Sequence, residues 1–172
     1  MKKILLILLV IIVINSCNNI TRYKGFCLLI PRHIEIPLYK SPHNSDVLDY
    51  IINDTINEDY PLIALQTIVD SIALVCVEYP IGTKPETKGW IALRYLGIFL
   101  KQPLDLFPAY KSPNYKSEIV FEISKSTSQW GQFHHIFDAI DGWVQISDPN
   151  NLNKRGWIPP ECQSTNPYTP PC

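Results

Sequence analysis

The sequence predicts an all-β protein built as a tandem repeat, on three observations. Ile36-Pro37-Leu38-Tyr39-Lys40-Ser41-Pro42 returns 71 positions later as Phe107-Pro108-Ala109-Tyr110-Lys111-Ser112-Pro113. At the same offset Asp70-Ser71-Ile72-Ala73-Leu74-Val75 aligns with Asp141-Gly142-Trp143-Val144-Gln145-Ile146. Lys88-Gly89-Trp90-Ile91 then recurs as Arg155-Gly156-Trp157-Ile158 at offset 67, so the intervening loop is four residues shorter in the second copy. Landmarks kept in order identify a repeat, the feature that governs every later assignment. Texture agrees with these three landmarks: short apolar runs between turn signals, 15 prolines, and no sustained helical period flanked by caps.

Taken in order, Met1-Lys2-Lys3 is a basic start, and Ile4 to Ile14 is an unbroken apolar run of eleven residues. That is short of the ~20 needed to span a bilayer and has the form of a signal peptide. The run ends in Ile14-Asn15-Ser16-Cys17, which resembles the bacterial lipoprotein lipobox. The resemblance implies acylation of Cys17 as the mature N-terminus. Cleavage would remove Lys2 and Lys3 and take the net charge from −1 to −3. One acyl chain anchors only reversibly, whereas the several chains of a lipoprotein hold stably, so the mature protein is expected to be tethered, not spanning. Asn18 after the cysteine, by the sorting habit of such lipoproteins, implies the outer membrane, and Asn18-Asn19-Ile20-Thr21-Arg22 lacks the acidic run that resembles a surface-export signal, so the periplasmic face is expected.

Residues 18–26 form a short polar tether, and Phe26 to Ile30 is the first strand, closed by Pro31. In each copy the Tyr-Lys-Ser-Pro segment ends a strand and starts a turn. Val47 to Ile52 and its partner Glu118 to Ile123 are β-branched and aromatic, hence strands. Ile72 to Val77 alternates, with Ala73, Val75 and Val77 on one face and Ile72, Leu74 and Cys76 on the other. The first face stays apolar in copy two as Val144 and Ile146 and is the predicted core face. The second becomes Trp143, Gln145 and Ser147, so only copy one is expected to have this face covered. Between the copies lies little more than Lys101-Gln102-Pro103, too short for free swivelling.

Leu-Tyr-Lys-Ser-Pro, an apolar strand, Asp-Gly-Trp-Val-Gln-Ile and Arg-Gly-Trp-Ile, in that order, resemble the bacterial SH3-like domain. Copy one carries the family's closing Gly89-Trp90-Ile91 with Tyr95-Leu96. Copy two stops at Gly156-Trp157-Ile158-Pro159-Pro160 without the Tyr-Leu pair, which leaves its last strand in question. The resemblance covers about residues 33–160. It implies two tandem small β-barrels used for binding or targeting rather than catalysis. The expected division is a signal peptide at 1–16, a lipidated tether at 17–26, SH3-like domains at 27–101 and 102–162, and a proline-rich tail at 163–172.

The balance of 46% hydrophobic and 18% charged residues fits a globular chain. Copies of about 70 residues are near the lower size limit for an independent core, so each is expected to lean on the other. A net charge of −1 and a pI near 6.4 give no electrostatic footprint for nucleic acid.

After Cys17, four cysteines remain in a chain expected to be exported, where disulfides persist. Cys162 with Cys172 would close the proline-rich tail, and Cys27 with Cys76 is the leftover pair, against buried free thiols. No cysteine lies beside a histidine in the arrangement a thiol nucleophile needs, and no enzyme activity is expected. His134, His135, Asp138 and Asp141 align with Ile63, Ala64, Thr67 and Asp70 and are read as surface residues, so no metal and no cofactor is expected.

The aromatic residues near loops are the binding candidates, because Tyr and Trp offer large contact area with few rotors. They are Trp143 and Trp130, whose copy-one counterparts are not aromatic, with Tyr110 and Tyr39 in the proline loops. Trp90 and Trp157, equivalent in both copies, are expected to pack in the core. Trp143 is expected on a wet outer face, which makes copy two the expected ligand-binding copy. The expected function is non-enzymatic: a lipid-anchored envelope protein that binds a peptide, a peptidoglycan fragment or an envelope protein. The alternative is a structural component of an envelope assembly without a small ligand, and a cell-wall hydrolase ranks last.

Overall fold

The computed structural model describes residues 25–30, 35–43, 45–54, 56–57, 59–100, 106–124 and 132–164. Its strands are β1 (Gly25–Leu29), β2 (Ile36–Tyr39), β3 (Val47–Ile51), β4 (Leu62–Val69), β5 (Ile72–Glu78), β6 (Thr87–Ala92) and β7 (Leu96–Leu100) in the first half. The second half contributes β8 (Leu106–Tyr110), β9 (Ile119–Ser124), β10 (His134–His135), β11 (Asp138–Ile140), β12 (Trp143–Asp148), β13 (Asn151–Ile158) and β14 (Gln163–Ser164). Helical structure among the described residues is confined to two single 3₁₀ turns, Leu93–Tyr95 and Pro160–Cys162. The protein is all-β. Among the described residues every pairing is antiparallel, in a nine-stranded sheet and a five-stranded sheet.

The alternation in the sequence sets the faces. Ala73, Val75 and Val77 on β5, and Val144 and Ile146 on β12, are fully buried. Ile72, Leu74 and Cys76 on the opposite face of β5 are half-buried. Asp141 and Gly142 both have positive φ (47° and 86°), the geometry of a primed two-residue hairpin between the paired Ile140 and Trp143. In copy one the matching turn between the paired Val69 and Ile72 has positive φ at Asp70 (55°) but not at Ser71.

Packing explains the glycine of each Gly-Trp-Ile. A Cβ on Gly89 would lie 2.6 Å from Leu38 Cγ, and one on Gly156 would lie 2.7 Å from Ala109 Cβ. Leu38 and Ala109 occupy the same place in β2 and β8, so in both copies the opening proline-bearing strand crosses where a side chain would otherwise stand.

Strand pairing reveals a second repeat signal. Cys27 pairs with Ile63 and Phe26 with Ala64, while exactly one period later Ile98 pairs with His134 and Gly97 with His135. Leu28 pairs with Gly97 and Leu29 with Leu96, and correspondingly Phe99 pairs with Ser164 and Leu100 with Gln163. Strand β7 therefore has two jobs. It closes the first copy against β1, and it is the opening strand of the second copy, where it does for β10 what β1 does for β4. A cut between residues 101 and 102 would leave that opening strand with the first copy.

The last strand of copy two, in question from the sequence, is present as the short β14. It follows a 3₁₀ turn at Pro160–Cys162 that matches Leu93–Tyr95 at offset 67. Gln163 stands where Leu96 does. Its amide donates to the carbonyls of Gly142 (2.8 Å) and Ile158 (3.1 Å), tying the strand to the β11–β12 hairpin.

The expected Cys27–Cys76 bridge is corrected. Cys27 shares the core face with its partner Ile63 and with Val77, which pairs with Ile63, whereas Cys76 pairs with Ala64 on the other face. The two thiols lie two strands apart on opposite sides of one sheet, and both are free. Cys27 Sγ donates to the Ile63 carbonyl (3.7 Å) and Cys76 Sγ to Glu86 Oε1 (3.0 Å). Cys162 is a buried free thiol, and Cys172 and the tail beyond Ser164 lie outside the described residues.

Asp59 is fully buried in the first copy. Its carboxylate accepts from the Thr83 hydroxyl (2.6 Å) and from the N–H groups of Ile81 (3.1 Å) and Thr83 (3.2 Å). Burial pushes this carboxyl up, and the three donors together more than offset it, leaving it below its ordinary value.

Candidate functional site

In copy one, Tyr39 of β2 sits opposite Trp90 of β6, and in copy two Tyr110 of β8 sits opposite Trp157 of β13. Copy two adds two aromatics to this shared pair. Trp143, where copy one has Ile72, meets Tyr110 edge-on with ring centroids 5.5 Å apart. Tyr115, from the loop after Tyr-Lys-Ser-Pro, covers Trp143 at 4.8 Å and Tyr110 at 6.1 Å. Such contacts add about 0.5–1.5 kcal/mol each beyond the area they bury. The order of the loop follows from its own bonds: Ser112 N–H donates to the Ser117 hydroxyl (3.0 Å) and Lys116 N–H to Asn114 Oδ1 (2.9 Å).

Trp143 is consequently not the exposed anchor expected from the sequence. Its indole is 6% exposed, because a loop that the repeat does not conserve folds over it. The exposed member of the cluster is Tyr115, 58% accessible. Its hydroxyl donates to Glu161 Oε2 at 2.8 Å, and that carboxylate pushes the phenol up to about 12, so it stays protonated. Trp157 is buried, as expected, whereas Trp90 is only half-buried. Trp130 lies outside the described residues, and so does Cys17.

Beside the cluster runs an open groove of about 420 Å³, lined by Thr67 and Ile68 of β4 and by Pro113, Asp138, Ala139, Ile140 and Trp157 of the second copy. Its walls come from matching segments, since Thr67 and Ile68 align with Asp138 and Ala139. Both segments are strand edges beyond the reach of the neighbouring opening strand. Strand β11 ends the five-stranded sheet. The outward N–H of Ala139 is taken by Asp138 Oδ1 (2.8 Å), which makes Asp138 the charged group of the groove. Tyr39 remains with the Trp90 pair of copy one and is not a lining residue.

The chemistry on offer is contact: aromatic and proline surface, one carboxylate and a hydroxyl. Burial pushes the thiol of Cys27 far up, and those of Cys76 and Cys162 up to about 11, so all three stay protonated at neutral pH. His134 and His135 are neighbours on a strand and face opposite ways, one buried and one exposed, so they do not converge on a common ion. Among the described residues no three His, Cys, Asp or Glu side chains gather as a metal site.

Sequence reasoning missed Tyr115 and the Thr67–Ile68 wall. Tyr115 aligns with Asn44, so the repeat gave no reason to single it out. The wall depends on how the copies are set against each other. Compared with protein-family models and with curated proteins, the chain matches none.

Proposed function

We propose that this chain is a non-enzymatic, lipid-anchored envelope protein whose two SH3-like modules bind a peptide, a peptidoglycan fragment or an envelope protein in the groove between the second copy and β4 of the first. The observation that carries this reading is the pairing of that groove with an aromatic cluster which copy one lacks. Tyr115 is exposed and rests on a buried Trp143 where copy one has Ile72, and an exposed aromatic beside a concave surface is what binding sites use. The closure of each copy through a 3₁₀ turn and a short last strand supports the small-barrel reading. Among the described residues no helix is long and apolar enough to cross a membrane. The proposed anchor is Cys17, on the periplasmic face of the outer membrane.

Two experiments test this. Purified residues 18–172 are incubated with isolated sacculi and with envelope extract. Co-sedimentation with sacculi, weakened by Tyr115→Ala, supports a wall ligand. Capture of one protein with no sacculus binding and no effect of Tyr115→Ala moves the chain to the structural alternative. For the anchor, Cys17→Ala is expected to leave the detergent phase and lose the mass of the acyl chains. Unchanged partition and mass would remove lipidation from the proposal.

A further inference from the structure

His134 occupies a core position. Its counterpart in copy one is Ile63, fully buried on β4 opposite Cys27, whereas His134 is 6% exposed on β10 opposite Ile98. Its Nε2 is buried with no hydrogen-bond partner. Among the described residues the surroundings offer an imidazolium nothing. Strand β7 brings only Leu96, Gly97, Ile98, Phe99 and Leu100. Strand β12 presents Val144 and Ile146, with Asp148 holding the N–H of Asn150 (2.9 Å). On the 3₁₀ turn packed against β10, Arg94 lies on the Tyr95 ring and donates to its hydroxyl (3.1 Å). On its own strand, the neighbouring His135 is exposed and disfavours a positive charge on His134. Cys162, also in the core, is a protonated thiol.

The attachment that His134 sits in is short. Strand β10 meets β7 through two residue pairs, followed by Ile136 N–H donating to the Leu96 carbonyl at 3.2 Å. One residue further on, Phe137 N–H donates to Gln145 O (2.8 Å) and the chain becomes β11, the groove wall that carries Asp138, Ala139 and Ile140.

We propose that β10 is an acid-released clasp, in which protonation of His134 frees β10 from β7 and loosens the groove wall formed by β11. A neutral imidazole is tolerated in the apolar pocket, and an unpaired imidazolium is not. Burial, helped by His135, lowers the pKa of the closed form to about 4, whereas an opened strand returns it to about 6.5. That acid would release a groove ligand rests on the groove being the binding site. The clasp itself does not.

The test is native-state hydrogen exchange on residues 18–172 with no ligand present. Protection of the Ile136 amide, corrected for intrinsic exchange, is expected to fall about 20-fold between pH 7 and pH 5, and to stay below that of the β5 and β6 amides at both pH values, because the clasp opens without the rest of the sheet. His134→Ile, the copy-one residue, and His134→Gln should both abolish the pH dependence, and His135→Ala should retain it. Either His134 variant showing the wild-type dependence, or the Ile136 amide being as protected as the β5 and β6 amides at both pH values, would overturn the clasp. Because no ligand is used, failure of the groove as a binding site would leave this result unchanged.

Discussion

A Cβ placed on Gly97 would lie 2.3 Å from Cζ of Phe133, in the segment that leads into β10. The His134 carbonyl is 2.5 Å from the same point, so the second copy reaches β7 only because this position has no side chain. Gly97→Ala is expected to destabilise the chain by about 1–3 kcal/mol, as overpacking does. Adding Phe133→Ala should restore only part of that, since the backbone contact remains. Urea midpoints of the two variants check both statements, and a wild-type midpoint for Gly97→Ala would contradict the β7–β10 contact.

Sharing β7 makes the copies interdependent. Residues 102–164 alone lack the strand that pairs with β10 and β14 and are expected not to fold, whereas residues 96–164 regain it. Circular dichroism and amide dispersion of the two fragments distinguish the cases, and native dispersion from residues 102–164 would refute the sharing.

The cover over Trp143 can be removed from either side. Trp143→Ala is expected to cost about 2–4 kcal/mol, at or just below the range for a buried aromatic, because one flank of the cluster is solvent-facing. Tyr115→Ala should cost little stability yet shift tryptophan emission to the red as the indole meets water. A stable Trp143→Ala would mean that the aromatic cluster contributes contact surface without supporting the fold.

Acid stability has a second, separable source in Asp59. Its folded pKa is depressed, so the associated stability is present above the unfolded value near 3.8 and is lost as pH falls through the folded value. His134 works at higher pH: its folded pKa is also depressed, but it is a base, so about 3 kcal/mol is lost progressively from pH 6.5 down to 4. Chemical denaturation across pH 7 to 2 should show both windows. Asp59→Asn is expected to flatten only the lower one and His134→Ile only the upper. Flattening of both by one variant would refute the assignment.

What the sequence disclosed was whatever the duplication had preserved. The offset of 71, the core alternation of Ala73, Val75 and Val77, and the two Gly-Trp-Ile closures were legible because both copies spell them alike. The equivalence of β1 with β7 was not. Phe26-Cys27-Leu28-Leu29 and Gly97-Ile98-Phe99-Leu100 share little beyond being apolar, and backbone pairing tolerates any such residues. The buried state of Trp143 was hidden for a related reason. Alternation reports which face a residue occupies, while its cover arrives from Tyr115, in a loop where the copies differ.

The strand that ends one copy and begins the next also bears on how such a protein can be rearranged by recombination. A module joined by a tether can be excised at the tether and carried to a new host. Here the junction runs through Leu96, Gly97 and Ile98, all buried, whose two backbone edges are taken up by different copies. Any breakpoint inside Leu96–Leu100 leaves one copy without an edge strand. What can be gained or lost cleanly is a whole strand-to-strand period of 71 residues.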